Sequence, residues 1–384
     1  MMKGDFPVGE FGERKTPFYF YDLPLLERTL DAVRREIQDR PSWQVHYAVK
    51  ANANPSLLRR IAAAGFGADC VSGGEIRMAL EAGFPPESIV YAGVGKSDDE
   101  IAFALESGIA RFNVESSAEL LVIEEIAARM GRIAPVSLRV NPDIGAHTHA
   151  NITTGLAENK FGIFHGMLDE VIRLALGCPH ICYSGLHFHI GSQLLDMSDF
   201  VALCNRINDL TERLERRRLP VGDLNVGGGL GINYEHPNHL PIADFKSYFD
   251  TFKRHLHLRP GQVLHFELGR SIVAPCGTLI CHVLYVKQGT TRQFAIVDGS
   301  MTELIRPALY HAYHRVENLS SDEAEQLYDV VGPVCESSDV FAKGVSLDAC
   351  RRGDFIAIRS AVAYGESMAS QYNGRPLPGA FLHE

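Results

Sequence analysis

LLRRIAAAGFGADCVSGGEIRMALEAGFPPESIVYA, residues 57–92, contains two copies of the pattern that decides the fold. In each copy, a stretch with helical apolar spacing ends in glycine, at Gly65 and Gly83, and a short β-rich run follows. Glycine is favoured after a helix because it adopts the left-handed conformation that closes one. The pattern recurs three more times, at Gly108, Gly131 and Gly177. Helix alternating with strand predicts a parallel sheet.

The same alternation extends over most of the chain. Eight strands are predicted, at residues 45–49, 67–71, 88–92, 110–114, 136–140, 183–189, 222–226 and 262–267. Each strand but the last is followed by a plausible helix, and eight such units favour a closed (β/α)8 barrel. An open, doubly wound sheet is the alternative, because periodicity alone does not show closure.

After about residue 275 the chain becomes rich in β-like runs separated by turn residues, with one helical stretch near 303–311. This texture predicts a second, mainly antiparallel β domain. The aromatic run PFYFYD at 17–22 is also strand-like and is assigned to that domain. The predicted organisation is therefore a barrel at 25–272 and a β domain made of 1–24 and 273–384.

Composition excludes several classes of protein. The 384 residues are 46% hydrophobic and carry a net charge of −10 without a basic tract, so no nucleic-acid partner is expected. No apolar run approaches the roughly 18 residues that a membrane span needs, and the first 15 residues do not resemble a signal peptide. The eight cysteines have no regular spacing, which is typical of reduced thiols in a cytoplasmic protein.

Lys50 closes the first predicted strand, in VHYAVKANAN at 45–54. Active sites of barrels lie at the carboxyl ends of their strands. Lysine amines form Schiff bases with carbonyl cofactors, so Lys50 is a candidate for that role. A lysine exposed at a strand end is the ordinary alternative.

Two further segments would suit a phosphorylated cofactor. NVGGGLGINY at 225–234 follows the seventh strand, where barrels often bind phosphate through backbone N–H groups; a tight turn is the alternative. HFELGRSI at 265–272 ends the eighth strand. Its Glu267 could keep a pyridine nitrogen protonated, and Arg270 could bind a carboxylate or phosphate. A structural Glu–Arg pair is the alternative.

His187 and His189 end the sixth strand, two residues apart. No third ligand at a suitable spacing is apparent, so a metal site is not expected. We prefer His189 as a flat ring against a cofactor, with a core histidine as the alternative. In the β domain, Cys335 is a plausible proton donor and Glu336 a plausible partner for a substrate ammonium; a buried thiol and a solvated acid are the alternatives.

Together the segments are far more specific than any one of them. They occur in the order YAVKAN, GADCVSGGE, NVES, HTHANITTGLAENKFG, HFHIGSQ, GGGLGI, ELGR, IRPALY, GPVCESSD and AYGESMAS. From about residue 15 onwards the chain thereby resembles the diaminopimelate decarboxylase family, which has the alanine-racemase-like fold of pyridoxal-phosphate enzymes.

The resemblance implies a (β/α)8 barrel, a β domain that includes the N-terminal strand, and a role for each matching residue. Lys50 would carry pyridoxal 5′-phosphate, His189 would stack on its ring, Glu267 would meet its pyridine nitrogen and Asp69 would lie beneath it. The phosphate would be held by Ser192, Gly228, Gly229 and Gly231, with the Gly269–Arg270 backbone nearby. The substrate would be bound by Arg270, Arg306, Tyr310 and Tyr364, and Tyr364 would also touch the cofactor. Cys335 and Glu336 would come from the partner subunit of a homodimer.

The resemblance further implies the conversion of meso-2,6-diaminopimelate to L-lysine and carbon dioxide, the last step of lysine synthesis. A second amino-acid head on the substrate requires both cation and acid in the site, which Arg306, Arg270 and Glu336 could supply. A related decarboxylase for carboxynorspermidine or a siderophore precursor is the main alternative. Others are an ornithine- or lysine-type decarboxylase, an amino-acid racemase and a cofactor-binding protein without turnover.

Overall fold

The computed structural model of this chain describes residues 6–142 and 160–384. HTHANITTGLAEN, at 147–159, lies outside the described residues. The described chain divides into two compact units. One, the barrel unit, comprises Leu30–Gly231 and Asp244–Arg270; the other, the β unit, comprises the described residues up to Thr29 together with Ile232–Ala243 and Ser271–Glu384. The domain boundaries given above stay a prediction.

The first described elements are a short helix and a strand of the β unit, and a longer helix then leads to the barrel. These elements are α1 (Val8–Phe11), β1 (Phe18–Asp22) and α2 (Leu23–Ile37). The barrel strands follow: β2 (Trp43–Ala48), β3 (Gly67–Cys70), β4 (Ile89–Tyr91), β5 (Arg111–Val114), β6 (Ala134–Asn141), β8 (Ile181–His187), β9 (Asp223–Asn225) and β10 (Leu264–Leu268). A two-residue strand, β7 (Ile163–Phe164), pairs with β6.

These eight strands are parallel and close on themselves. Each pairs with the next along the chain, β6 pairs with β8, and β10 returns to β2 in the register Leu264 to Trp43. The closed barrel is therefore confirmed and the open sheet is excluded. Closure places the carboxyl ends of all eight strands at one rim.

Helices connect the strands, and their ends are set by local sequence. They are α3 (Pro55–Ala63), α4 (Gly73–Glu81), α5 (Asp98–Ser107), α6 (Ser117–Met130), α7 (Leu168–Gly177), α8 (Met197–Arg216), α9 (Phe245–His255) and α10 (Arg270–Val273). Ser97 and Glu100 form a reciprocal capping box at the start of α5, and left-handed Gly108 ends it as predicted.

The predicted role of Gly177 as a left-handed helix terminator is wrong. Gly177 is the last residue of α7, and Cys178 follows it with an extended backbone. The next residue is Pro179, which disfavours helical conformation in the residue before it and cannot continue a helix. Proline thus ends this helix, whereas a left-handed glycine follows each of α3, α4, α5 and α6.

The β unit is built on a mostly antiparallel sheet. Its later elements are β11 (Gly277–Gln288), β12 (Gln293–Val297), α11 (Arg306–Tyr310), β13 (Val316–Asn318), β14 (Glu325–Val331), β15 (Val340–Asp348), β16 (Phe355–Ile358) and β17 (Gly379–His383). The N-terminal strand β1 lies between β11, to which it is antiparallel, and β17, to which it is parallel. The predicted membership of this strand in the β domain is confirmed.

Aromatic residues of α1, β1 and β17 form a hydrophobic cluster in the β unit. Phe11, Phe18, Phe20 and Phe381 are buried and pack ring against ring. This packing explains why a segment so far from the sheet in sequence belongs to it, because burial of each ring contributes roughly 1.5–3 kcal/mol. Within the described ranges, no helix is both long and apolar enough to cross a membrane.

Candidate active site

Lys50 lies in a short 3₁₀ turn, Val49–Ala51, directly after β2 at the carboxyl rim of the barrel. Its side chain is 41% exposed, and its Nζ lies 3.8 Å from Oδ2 of buried Asp69 at the end of β3. This distance is too long for a hydrogen bond. Burial, and then the charge of Glu267, raise the pKa of Asp69 well above its usual value, whereas Lys50 lowers it. The other oxygen, Oδ1, has no hydrogen-bond partner among the described residues.

Glu267, near the end of β10, is a buried carboxylate surrounded by donors. Asn113 and Asn225 donate from Nδ2 to Oε1 at 3.1 and 2.7 Å, and Nε2 of His187 lies 3.0 Å from Oε2. Burial alone would raise the pKa of Glu267, but the charge and hydrogen bond of His187, with Lys50, hold it well below its usual value. The barrel therefore keeps this carboxylate ionised.

The sequence assigned no role to these three donors. Asn113 lies in β5, Asn225 ends β9 and His187 ends β8, so each projects inward near the carboxyl end of its strand. The available signal was a polar residue at, or one position before, the end of a strand. Their convergence on one carboxylate depends on barrel closure, which no local pattern reveals.

His189 follows β8 and is half-buried. The backbone N–H of Gly228 donates to its Nδ1 at 3.4 Å, which requires a lone pair on that nitrogen. Burial, and then the charges of Arg139 and Lys50, hold the pKa of His189 well below its usual value. The ring is therefore neutral, as a group that packs flat on an aromatic cofactor should be.

The glycine-rich loop after β9 packs closely on its neighbours. A Cβ on Gly228 would lie 1.9 Å from the carbonyl oxygen of Glu267, and Gly229 has a φ of +111°. The loop pairs with the segment after β8, since the N–H of Leu194 donates to the carbonyl of Gly229 and that of Gly231 to the carbonyl of Leu194, both at 2.9 Å. At Gly228 and Gly229 this path leaves no place for a side chain.

The pairing of the loops brings Ser192 to the same rim. Arg270 donates to Ser192 Oγ from Nε at 3.2 Å and from Nη2 at 3.1 Å. Arg270 follows Gly269, where a Cβ would lie 3.0 Å from the methyl groups of Ala48 and Ala51. Gly269 thus lets the end of β10 approach the turn that carries Lys50. The structure brings all the predicted barrel residues to one rim.

The β unit holds the remaining predicted residues. Arg306 begins α11 and is buried, and Tyr310 ends the same helix. Tyr364 occupies the left-handed region with a φ of +58°, which is uncommon for a tyrosine and typical of functionally constrained turns. The following Gly365 is required by that turn, because a Cβ there would lie 1.9 Å from the carbonyl oxygen of Ala361.

Cys335 and Glu336 lie on an exposed loop. Glu336 accepts hydrogen bonds from Tyr372 Oη at 2.6 Å and Ser338 Oγ at 3.2 Å. The loop is fixed by Asp339, a buried residue with no predicted role, which accepts from the N–H groups of Val334 and Met301 at 2.8 and 2.7 Å. The thiol of Cys335 is thus exposed rather than buried.

Comparison with known proteins agrees with this geometry. Residues 24–274 match the family described as pyridoxal-dependent decarboxylase, pyridoxal binding domain. The diaminopimelate decarboxylase of Bacteroides thetaiotaomicron is 61% identical over 100% of this chain and 99% of its own length. That of Zymomonas mobilis is 40% identical over 97% of this chain and 89% of its own. The crystal structure of the Helicobacter pylori enzyme complexed with L-lysine has a TM-score of 0.92 at 40% identity, covering 98% of this chain and 94% of that one.

The family match over residues 24–274, most of the chain, shows that the fold is that of a pyridoxal-dependent decarboxylase. Within that class, the chain belongs to the diaminopimelate decarboxylase family.

The residues at the rim fit pyridoxal phosphate, the cofactor of this class. Lys50 can bind its aldehyde carbon, and the ionised Glu267 can accept a hydrogen bond from a protonated pyridine nitrogen.

The close-packed glycine loop could offer backbone rather than side chains to a phosphate. The N–H groups of Gly228 and Gly231 already donate to His189 and to the Leu194 carbonyl, so they would have to share or exchange those contacts. The unsatisfied Oδ1 of Asp69 is a buried polar atom that a bound polar group would satisfy.

Proposed function

We propose that this chain decarboxylates meso-2,6-diaminopimelate to L-lysine and carbon dioxide, the final step of lysine synthesis. The observation that carries the proposal is the ionised, triply hydrogen-bonded Glu267 at the same rim as Lys50. Full-length similarity to diaminopimelate decarboxylases supports the choice of substrate.

Pyridoxal phosphate, when bound, supplies an electron sink for the electron pair left behind as carbon dioxide departs. Lys50 would bind the cofactor and release it to the substrate amine. Glu267 would keep a proton on the pyridine nitrogen, and the neutral ring of His189 would pack on the cofactor's face. Ser192 and the backbone at Gly228, Gly229, Gly231, Gly269 and Arg270 would bind the phosphate.

Substrate recognition would use both positively and negatively charged side chains. Arg270, Arg306 and Tyr310 would bind substrate carboxylate, and Glu336 would bind the distant ammonium. The guanidinium of Arg270 already donates to Ser192 from Nε and Nη2. Arg270 would therefore have to bind a substrate carboxylate while it keeps, or gives up, these hydrogen bonds. A buried arginine without a carboxylate partner disfavours lysine or ornithine as substrate by roughly 1–3 kcal/mol.

We further propose that the enzyme is a homodimer in which each subunit gives Cys335 and Glu336 to its partner's site. The exposure of their loop supports this arrangement. Cys335, or a water bound by it, would deliver the proton that replaces carbon dioxide. Tyr364 would contact cofactor or substrate. A cytoplasmic location and the absence of nucleic-acid partners stay predictions from composition.

Carbon dioxide release by the purified holoenzyme tests the proposed substrate. We expect release from meso-diaminopimelate and background release from ornithine and carboxynorspermidine. Carbon dioxide release from ornithine or carboxynorspermidine, with none from diaminopimelate, would show that the proposed substrate is wrong and that the enzyme acts on the other compound.

A further inference from the structure

Arg306 is held from one side by two neutral groups of the β unit. Its Nη1 donates to Nε2 of His314 at 2.8 Å and to the phenolic oxygen of Tyr234 at 3.2 Å. The guanidinium carbon also lies 5.2 Å from the centre of the Tyr234 ring. Arg306 and His314 are 6% and 1% exposed, so these contacts are made away from water.

The partners of His314 determine its tautomer. Nδ1 lies 2.9 Å from the backbone carbonyl oxygen of Arg359, which only accepts hydrogen bonds, so Nδ1 carries the proton. Nε2 faces a guanidinium, which only donates, so Nε2 carries the lone pair. A neutral imidazole protonated at Nδ1 is therefore the state that satisfies both contacts.

These contacts have a consequence for the opposite edge of Arg306. Nη1 has two hydrogens, and His314 and Tyr234 each accept one. A carboxylate that binds a guanidinium through two parallel hydrogen bonds must then use the edge formed by Nε and Nη2. We propose that His314, together with Tyr234, is a positioning residue that orients this edge of Arg306 for the substrate carboxylate that is not lost.

This inference rests on the proposed function, in which Arg306 binds a substrate carboxylate. The competing role for His314 is packing alone, since its ring also lies edge-on to Tyr234 at 5.1 Å. Packing requires only the shape of the imidazole. Positioning requires an acceptor at the place of Nε2, and this difference can be tested.

A pair of substitutions in the holoenzyme separates the two nitrogens. His314→Asn keeps a donor near the place of Nδ1 and removes the acceptor that faces Arg306. His314→Gln places an amide oxygen near the position of Nε2 and restores that acceptor. We expect the KM for diaminopimelate and the inhibition constant of L-lysine to rise about tenfold in His314→Asn, as for loss of a hydrogen bond to a charged group, and to rise much less in His314→Gln.

Inhibition by cadaverine distinguishes loss of carboxylate binding from a general structural defect, which would weaken the binding of both inhibitors. Cadaverine has the carbon chain and both amines of L-lysine but no carboxylate, so its inhibition constant should be unchanged in both variants. The kcat for diaminopimelate should change less than the KM. His239→Asn, the same substitution at an exposed histidine of the β unit, should match the wild type throughout.

Two results would overturn the positioning role. One is an unchanged KM for diaminopimelate in His314→Asn, and the other is an equal rise in the inhibition constants of L-lysine and cadaverine. If His314→Asn does not fold, Tyr234→Phe removes the other acceptor of Nη1. Tyr234→Phe should then raise the inhibition constant of L-lysine but not that of cadaverine. Equal changes in the two inhibition constants would again contradict the positioning role. Failure of the wild type to release carbon dioxide from diaminopimelate would instead refute the proposed function itself.

Discussion

Glu267 shows how single residues prepare the barrel for a cofactor. Burying an ionised carboxylate is costly unless hydrogen bonds replace its water. Asn113, Asn225 and His187 supply those bonds, and each comes from a different strand. Protein groups alone therefore keep the carboxylate ionised and fixed in place, as its proposed role beside a protonated pyridine requires.

Removing the imidazole donor should weaken this arrangement. His187→Leu leaves Glu267 buried with one donor fewer, so burial raises the pKa of the carboxylate. Because Glu267 is ionised above its pKa, the variant should lose kcat towards acidic pH where the wild type does not. At neutral pH we expect a fall of roughly tenfold to a hundredfold, from about 1.5–3 kcal/mol for a hydrogen bond to a charge.

The kcat–pH profile and the visible spectrum of the bound cofactor measure this effect. His180→Leu is the matched control, because Nδ1 of His180 lies 2.9 Å from Glu124 in a partly exposed pair away from the rim. Superimposable profiles for the wild type and His187→Leu would show that His187 does not support Glu267.

At the scale of elements, the loops after β8 and β9 form one unit. Backbone hydrogen bonds connect Leu194 with Gly229 and Gly231, and the path allows no side chain at Gly228. The loop is therefore closely packed and held by its neighbours, as its proposed role in binding phosphate requires. Its shape is imposed by the neighbouring strand β10, through the carbonyl of Glu267.

A methyl group at Gly228 tests this close packing. Gly228→Ala would place Cβ 1.9 Å from the carbonyl oxygen of Glu267, so the loop must move. We expect at least a tenfold rise in the dissociation constant of pyridoxal phosphate, measured by titration of the apoenzyme. Gly74→Ala, at an exposed position of α4 where Cβ meets nothing closer than 3.6 Å, should bind as the wild type does. Equal affinities would contradict a close-packed loop.

The helices and strands were easier to predict from the sequence than the long-range contacts between their residues. Periodicity and terminal glycines located the barrel strands, because these features are local. The sequence did not predict that Ile232–Ala243 groups with the β unit, or that Tyr234 contacts Arg306. Likewise, Asn113 and Asn225 look like ordinary strand residues until closure brings them to Glu267. These contacts depend on long-range packing, which a single sequence does not encode in its spacing.

For the whole molecule, we propose that each active site needs residues from two chains. Cys335 and Glu336 are exposed on the described chain, although their proposed chemistry needs a site sheltered from water. A homodimer in which each subunit completes its partner's site resolves this difficulty.

Mixing two inactive variants tests the shared site. Lys50→Ala lacks the cofactor lysine, and Cys335→Ala lacks the partner's thiol. A mixed dimer contains one site with both residues intact, so random exchange of subunits should restore up to about a quarter of the wild-type activity per chain. Lys50→Ala mixed with Lys50→Ala is the control. No recovery after verified subunit exchange would place Cys335 in its own subunit's site or outside any site.

Chemical reduction of the holoenzyme tests whether Lys50 binds pyridoxal phosphate. Borohydride reduces the carbon–nitrogen double bond between a lysine and this cofactor and makes the attachment permanent. Peptide mass spectrometry of the reduced holoenzyme should then find the pyridoxyl phosphate group on Lys50. A pyridoxyl phosphate group on another lysine instead, or on no lysine of a fully loaded enzyme, would show that Lys50 does not bind the cofactor.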